Sequence, residues 1–191
     1  MDKMLYIIGG CNGAGKTTAS FTVLPDILDC REFVNADEIA RGLSPFNPAS
    51  VSIEAGRLMI QRINELLNRD ATFAIETTLA TKSYFNLVRQ AQKRGYTVML
   101  VFFWLRSAEL ALHRVAERVS GGGHDIPAPT TRRRYVAGIN NLFKIYMPEV
   151  DCWVIYDNSD TPRIQIAHGG KDVPTTVLNN ELFTKLKSHV R

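Results

Sequence analysis

The stretch Gly10-Cys11-Asn12-Gly13-Ala14-Gly15-Lys16-Thr17 constrains this chain more than any other part of it. It satisfies G-x-x-x-x-G-K-[ST], a pattern that average residue frequencies produce in roughly one chain per hundred of this length. Its surroundings narrow the reading further. Met4–Ile8 is a short apolar run ending in Gly9-Gly10, as a buried parallel strand would be. Gly15 to about Val23 is helix-compatible and stops before Pro25. A strand that turns through glycines into a helix points successive backbone N–H groups, and the positive end of the helix dipole, at one spot. That spot suits a phosphate, and the strand–loop–helix context is the one the pattern requires.

The sequence therefore predicts ATP and Mg²⁺ as cofactors, with contacts from Gly10 through Thr17 and from the adjoining Thr18. Lys16 supplies a point charge for the β- and γ-phosphates, and the Thr17 hydroxyl is a Mg²⁺ ligand. Cys11 fills a position that the pattern leaves open. A reactive thiol there would make nucleotide binding sensitive to alkylation.

Strands and helices alternate along the rest of the chain. Glu32–Ala36 reads as a second strand, Thr72–Ile75 as a third, Thr97–Leu105 as the most apolar and hence central one, and Trp153–Tyr156 as a fifth. Helical periodicity runs over Ala49–Asn68, Lys82–Arg94, Ala108–Val119 and Thr131–Tyr146. Ile164–His168 is a candidate edge strand, and the last residues read as a polar helix. This alternation predicts a parallel sheet covered on both faces. With 191 residues and no repeat or linker, residues 1–191 read as a single domain.

Composition excludes more than it selects. A net charge of +4 and a pI near 9.0 suit an anionic ligand but do not argue for nucleic acid. No apolar run approaches the roughly 20 residues of a membrane span. The chain enters an apolar strand at Met4 with no basic, cleavable leader before it, and Cys11, Cys30 and Cys152 are widely spaced. Reduced thiols and a cytoplasmic location are the expectation. The four histidines show no metal-ligand spacing.

A phosphate loop alone does not separate kinases from other nucleotide hydrolases. No Asn-Lys-x-Asp guanine signature is present, and Val119-Ser120-Gly121-Gly122-Gly123 is followed by no apolar strand ending Asp-Glu. Asp37 lies just past the second strand, 21 residues after Lys16, at the sheet edge the loop occupies. Phosphoryl transfer needs such a carboxylate, to orient an acceptor hydroxyl and take its proton. Glu76 ends the third strand and should face the same crevice. Arg114 and Arg118 share a helix face, and Arg132-Arg133-Arg134 follows the loop 121–129. Two arginine sets around a glycine hinge predict a closing lid at about 119–134. Arg106 is a weaker candidate for the same role.

Taken together, these residues resemble the zeta toxin family of P-loop kinases. The resemblance rests on Gly-Gly-Cys-Asn-Gly-Ala-Gly-Lys-Thr-Thr (9–18), Val-Asn-Ala-Asp-Glu-Ile (34–39), Glu-Thr-Thr-Leu (76–79), Arg-Val-Ala-Glu-Arg-Val (114–119), Gly-Gly-His-Asp-Ile-Pro (122–127) and Arg-Arg-Arg-Tyr (132–135). It implies a three-layer α/β P-loop fold similar to nucleotide and shikimate kinases, with five parallel strands in order 2-3-1-4-5. It implies Asp37 as catalytic base, with Glu76 and neighbouring Thr77 binding the acceptor. It implies Arg118 and one of Arg133 or Arg134 as ATP-clamping lid arginines. UDP-N-acetylglucosamine is the acceptor and a small antitoxin protein the partner that such a resemblance suggests. An ATP-driven switch with slow hydrolysis is the alternative from another class, and a nucleic-acid kinase ranks below both.

Overall fold

The apolar segments of the sequence pair with one another as a single sheet. A computed structural model describes residues 3–121 and 125–190. Gly122, Gly123 and His124 of the expected lid lie outside the described residues. Strand β1 (Met4–Gly9) lies between β3 (Phe73–Thr77) and β4 (Thr97–Trp104), parallel to both. β2 (Phe33–Val34) pairs outside β3, and β5 (Cys152–Asp157) outside β4, again in parallel. The order β2-β3-β1-β4-β5 is the one expected, in a three-layer α/β arrangement.

The expected count of five strands is too low, because two antiparallel strands extend the sheet to seven. β6 (Ile164–Gly169) pairs with β5, and the two-residue β7 (Thr176–Val177) pairs with β6. Helix α7 (Asn180–Lys187) follows, capped by Asn179, and buries Leu182 and Leu186. β6 falls on the candidate edge strand Ile164–His168, whereas β7 is too short to show a period.

The sheet interior explains its stability. Phe73, Phe102, Phe103 and Trp104 are each at most 2% exposed, as are Leu5, Ile7 and Ile8 of β1. Burial of one such aliphatic or phenyl side chain is worth about 1.5–3 kcal/mol. Trp104 also satisfies its indole N–H on the Tyr135 hydroxyl at 3.1 Å, so the apolar cluster carries no orphaned donor there.

Helices enter from the C-terminal ends of the parallel strands. α1 (Lys16–Asp26) starts directly after the phosphate loop, with Gly15 in the left-handed region as its cap. β2 is shorter than its predicted span because Asn35 leaves the strand to cap α2 (Ala36–Leu43). The Asn35 side-chain oxygen accepts from the backbone N–H groups of Asp37 and Glu38, at 2.8 and 3.4 Å. A 3₁₀ turn at Pro48–Val51 leads into α3 (Ser52–Asn68), and α4 (Ser83–Lys93) follows β3. α5 (Ala108–Ser120) begins at the Ser107 cap. α6 (Ala128–Asn141) runs on through one π-helical turn at Leu142–Tyr146. Among the described residues, no helix is long and apolar enough to cross a membrane.

Candidate active site

The register of β1 against β3 sets the site. Ile8 lies level with Glu76, and Gly9 with Thr77, so the chain entering the phosphate loop passes beside the acidic end of β3. The loop itself is held by close packing. Gly13 has φ +77, and a Cβ there would meet the Ala111 carbonyl oxygen of α5 at 2.7 Å. Gly15 has φ +76, and its Cβ would lie 2.6 Å from the Asn158 amide nitrogen. Both positions need glycine for conformation and for space.

Lys16 is buried, and its ammonium donates to the Cys11 carbonyl at 3.0 Å. The same nitrogen lies 3.5 Å from Glu76 Oε1. Glu76 Oε2 accepts from the Thr17 hydroxyl at 2.7 Å and from the Asn35 amide at 2.9 Å. Glu76 therefore sits on the phosphate side of the cleft, beside the lysine and the threonine. Thr17 and Glu76 place two oxygens together, and oxygen is what Mg²⁺ takes. Among the described residues no cluster of three or more His, Cys, Asp or Glu could hold a metal. Mg²⁺ at this point would draw its other ligands from phosphate and water, which is its usual habit.

A cleft of about 480 Å³ opens over the loop. Lys16, Thr17 and Thr18 form one side of it; Asp37 comes from the first turn of α2, and Arg118 and Arg134 come from α5 and α6. Asp37 is exposed, and its neighbour Asn35, not Asp37 itself, caps the helix, which leaves the carboxylate available. Arg134 donates to the buried Asn12 side-chain oxygen at 3.2 Å, which fixes α6 against the loop. Beyond Glu76, the wall is rich in hydroxyls: Thr77, Thr78, Thr81, Ser83 and Tyr84. Its Thr77 hydroxyl accepts from the Leu79 N–H at 3.1 Å, in a tight turn where Leu79 has φ +54.

Several arginines of the sequence reading lie elsewhere. Arg133 is exposed on α6 and does not line the cleft. Arg132 is ion-paired with Glu109 on α5. Arg106 pairs with the buried Asp157 and with Asp160, at 2.7 and 2.8 Å, and so ties β4 to the segment after β5. Arg114 lines the cleft, yet two of its nitrogens donate to the Asn158 and Ser159 carbonyls, each at 2.7 Å. Asn158 in turn donates from Nδ2 to the Ala14 carbonyl at 2.8 Å. Asn158 and Asn35 were not singled out from sequence. Asn35 falls inside the strand predicted over Glu32–Ala36, and Asn158 two residues past the one predicted over Trp153–Tyr156, so neither position carried a signal of its own.

Cys11 has a buried thiol, and loss of hydration pushes its pKa up to about 11 despite the nearby Lys16 and Arg114. The thiol is therefore protonated near neutral pH, and the alkylation sensitivity raised above has no physical support.

Comparison with known proteins adds the lineage. A family model described as zeta toxin matches residues 1–161. An uncharacterized protein of Haemophilus influenzae is 32% identical over 127 residues, 66% of this chain and 88% of that protein. A chain of the AvrRxo1-ORF1:AvrRxo1-ORF2 complex with sulphate ions superposes with a TM-score of 0.80 at 19% identity. That match covers 98% of this chain and 64% of the other, so the chain spans less than two thirds of that neighbour. The same complex with ATP gives the same values. A chain from the PezAT chromosomal toxin-antitoxin system of Streptococcus pneumoniae gives 0.68 at 16% identity, covering 99% of this chain and 78% of that one. At such identities the structural likenesses speak for the fold.

Proposed function

The chain belongs to the zeta toxin family of P-loop kinases, and from that premise we propose that residues 1–191 act as one kinase domain. It transfers the γ-phosphate of ATP to a hydroxyl of a small molecule. The observation that carries this reading is the meeting, in one cleft, of Asp37 with Lys16 and the Thr17–Glu76 pair. A phosphate loop by itself binds nucleotide; an exposed carboxylate across the cleft adds a group that can take a proton from an acceptor.

Each side chain has a chemical task in this reading. The N–H groups from Gly10 to Thr18 cradle the phosphates, with Lys16 neutralising the β- and γ-phosphates. Thr17 and Glu76 would hold Mg²⁺, which would offset phosphate charge. Asp37 orients the acceptor hydroxyl and accepts its proton as the new P–O bond forms. The bond between the γ-phosphorus and the bridging oxygen breaks, and ADP leaves. Arg118 and Arg134 reach over the transferring group from the lid side, adding charge stabilisation and excluding water. Arg133 has no part in this cleft.

UDP-N-acetylglucosamine is the proposed acceptor, supported by the zeta toxin motifs and by the hydroxyl-bearing wall from Thr77 to Tyr84. A small antitoxin protein is the proposed partner, supported by the toxin-antitoxin origin of the Streptococcus pneumoniae neighbour. We place the protein in the cytoplasm, where both nucleotides are found.

The test is ADP release from the purified protein with Mg-ATP, with and without UDP-N-acetylglucosamine, and product mass read in parallel. Acceptor-stimulated ADP and a mass gain of one phosphate are expected. Slow ADP release without any new product would end the sugar-nucleotide assignment, and failure to bind ATP would end the kinase reading.

A further inference from the structure

A groove of about 190 Å³ lies between the C-terminal end of α1 and strands β4 and β5, and it shares no lining residue with the catalytic cleft. Side chains two apart on a strand share a face, which puts Met99, Val101 and Phe103 of β4 in one row, about 13 Å long at the usual strand rise. Val154 and Tyr156 stand level with Val101 and Phe103 on β5. Val23 of α1 and Ile27 at its end form the opposite wall, and Ile27 is 69% exposed. The groove is therefore long and apolar on both sides.

One end of it differs. The Arg163 guanidinium lies 5.8 Å from the centre of the Phe103 ring, and that ring stacks on Tyr156 with centroids 5.8 Å apart. Among the described residues no carboxylate pairs with Arg163. A guanidinium with no acid beside it favours an anion at that end. Apolar walls give water few hydrogen-bond partners, so an apolar chain gains by displacing it. Arg163 also lies past residue 161, where the family match ends, so this end of the groove belongs to the terminal segment of the chain.

We propose that the groove binds a carboxylate with a slender apolar tail, of the fatty-acid class. The tail lies along Val101 and Val154 between α1 and the sheet, and the carboxylate pairs with Arg163. The site is separate from the catalytic cleft and stands whether or not the chain transfers phosphate.

Calorimetric titration of the full chain with butanoate, hexanoate and octanoate is the test. Each two-carbon step should tighten binding about tenfold, as burial of two further methylenes would. Octanoate should bind about threefold more tightly than octanol, and Arg163→Gln, a change at the exposed surface, should remove that difference. Val23→Phe fills the groove from α1 and should abolish saturable binding, with a melting curve to show that the fold is kept. In the unaltered protein, octanoate should shift the methyl resonances of Val101 and Val154, which locates the tail without any substitution. Affinity that ignores chain length, or an octanoate preference that survives Arg163→Gln, would overturn the proposal. Unshifted Val101 and Val154 methyls would do the same. A dimer that Val23→Phe dissolves and octanoate leaves intact would give the groove to a second copy of the chain, and overturn it too.

Discussion

The Thr17 hydroxyl donates to Glu76 across 2.7 Å, joining the first turn of α1 to the end of the neighbouring strand β3. The same carboxylate also faces the Lys16 ammonium and takes the Asn35 amide proton. One acid thus organises the lysine, the threonine and the residue that caps α2. The sequence expects Glu76 to bind the acceptor; here its oxygens meet Thr17, Asn35 and Lys16, two of them residues of the phosphate loop.

Replacing Glu76 by Gln keeps its size and removes its charge. The Mg²⁺ concentration needed for half-maximal activity should rise about 10- to 100-fold, the range seen when groups that orient metal ligands are lost. A Mg²⁺ titration of ADP formation measures this. An unchanged Mg²⁺ requirement would return Glu76 to a role in acceptor binding.

Asp37→Asn should leave the fold and ATP affinity intact, because Asn35 and not Asp37 caps α2. Turnover should fall about 10²- to 10⁴-fold, the usual worth of a positioned base. Calorimetric ATP binding together with single-turnover rates separates the two effects. Retained turnover would remove Asp37 from the chemistry.

Asn158→Ala removes the donor to the Ala14 carbonyl, while Arg114 keeps its bond to the main-chain carbonyl of residue 158. A hydrogen bond of this kind is worth about 0.5–1.5 kcal/mol. The KM for ATP should rise about 2- to 12-fold by that measure, with the acceptor KM unmoved. Equal shifts in both would mean a general loss of order.

Stability should decline in alkali. Burial pushes the thiols of Cys11 and Cys30 up from 9.0 to about 11. A raised pKa in the folded state means that the fold prefers the neutral thiol. Its contribution is complete below about 9, where both states are protonated, and is lost as pH rises towards about 11. The melting temperature of a Cys11→Ala, Cys30→Ala double variant should depend less on pH across that window. At neutral pH, iodoacetamide should leave nucleotide binding unchanged.

The sheet core and the phosphate loop were legible because local sequence decides them. Met4–Gly9 and Val98–Trp104 carry no charged or amide side chain, and the glycines at 13 and 15 have φ values that other residues resist. The arginines were less legible, because charge does not say what it faces. Arg114 reads like a phosphate clamp, but backbone carbonyls 44 and 45 residues away take two of its nitrogens. The end of β2 was misjudged for a related reason: Asn35 continues an extended pattern in sequence, while its side chain starts a helix. The edge strand β6 falls on its candidate at Ile164–His168, whereas the two-residue β7 depends on its partner rather than on a period of its own.

The matched family region ends at residue 161, yet the sheet does not. β6 covers the outer edge of β5 from Trp153 to Asp157, and Gly169 is pressed so close to Trp153 that a Cβ would come within 2.8 Å of the indole. Cutting the chain at 161 would expose a six-residue ribbon of unpaired peptide groups flanked by Trp153 and Ile155. Such a bare margin invites strands of other molecules to add to it. A chain shortened at 161 should therefore self-associate at concentrations at which the full chain does not, as light scattering would show.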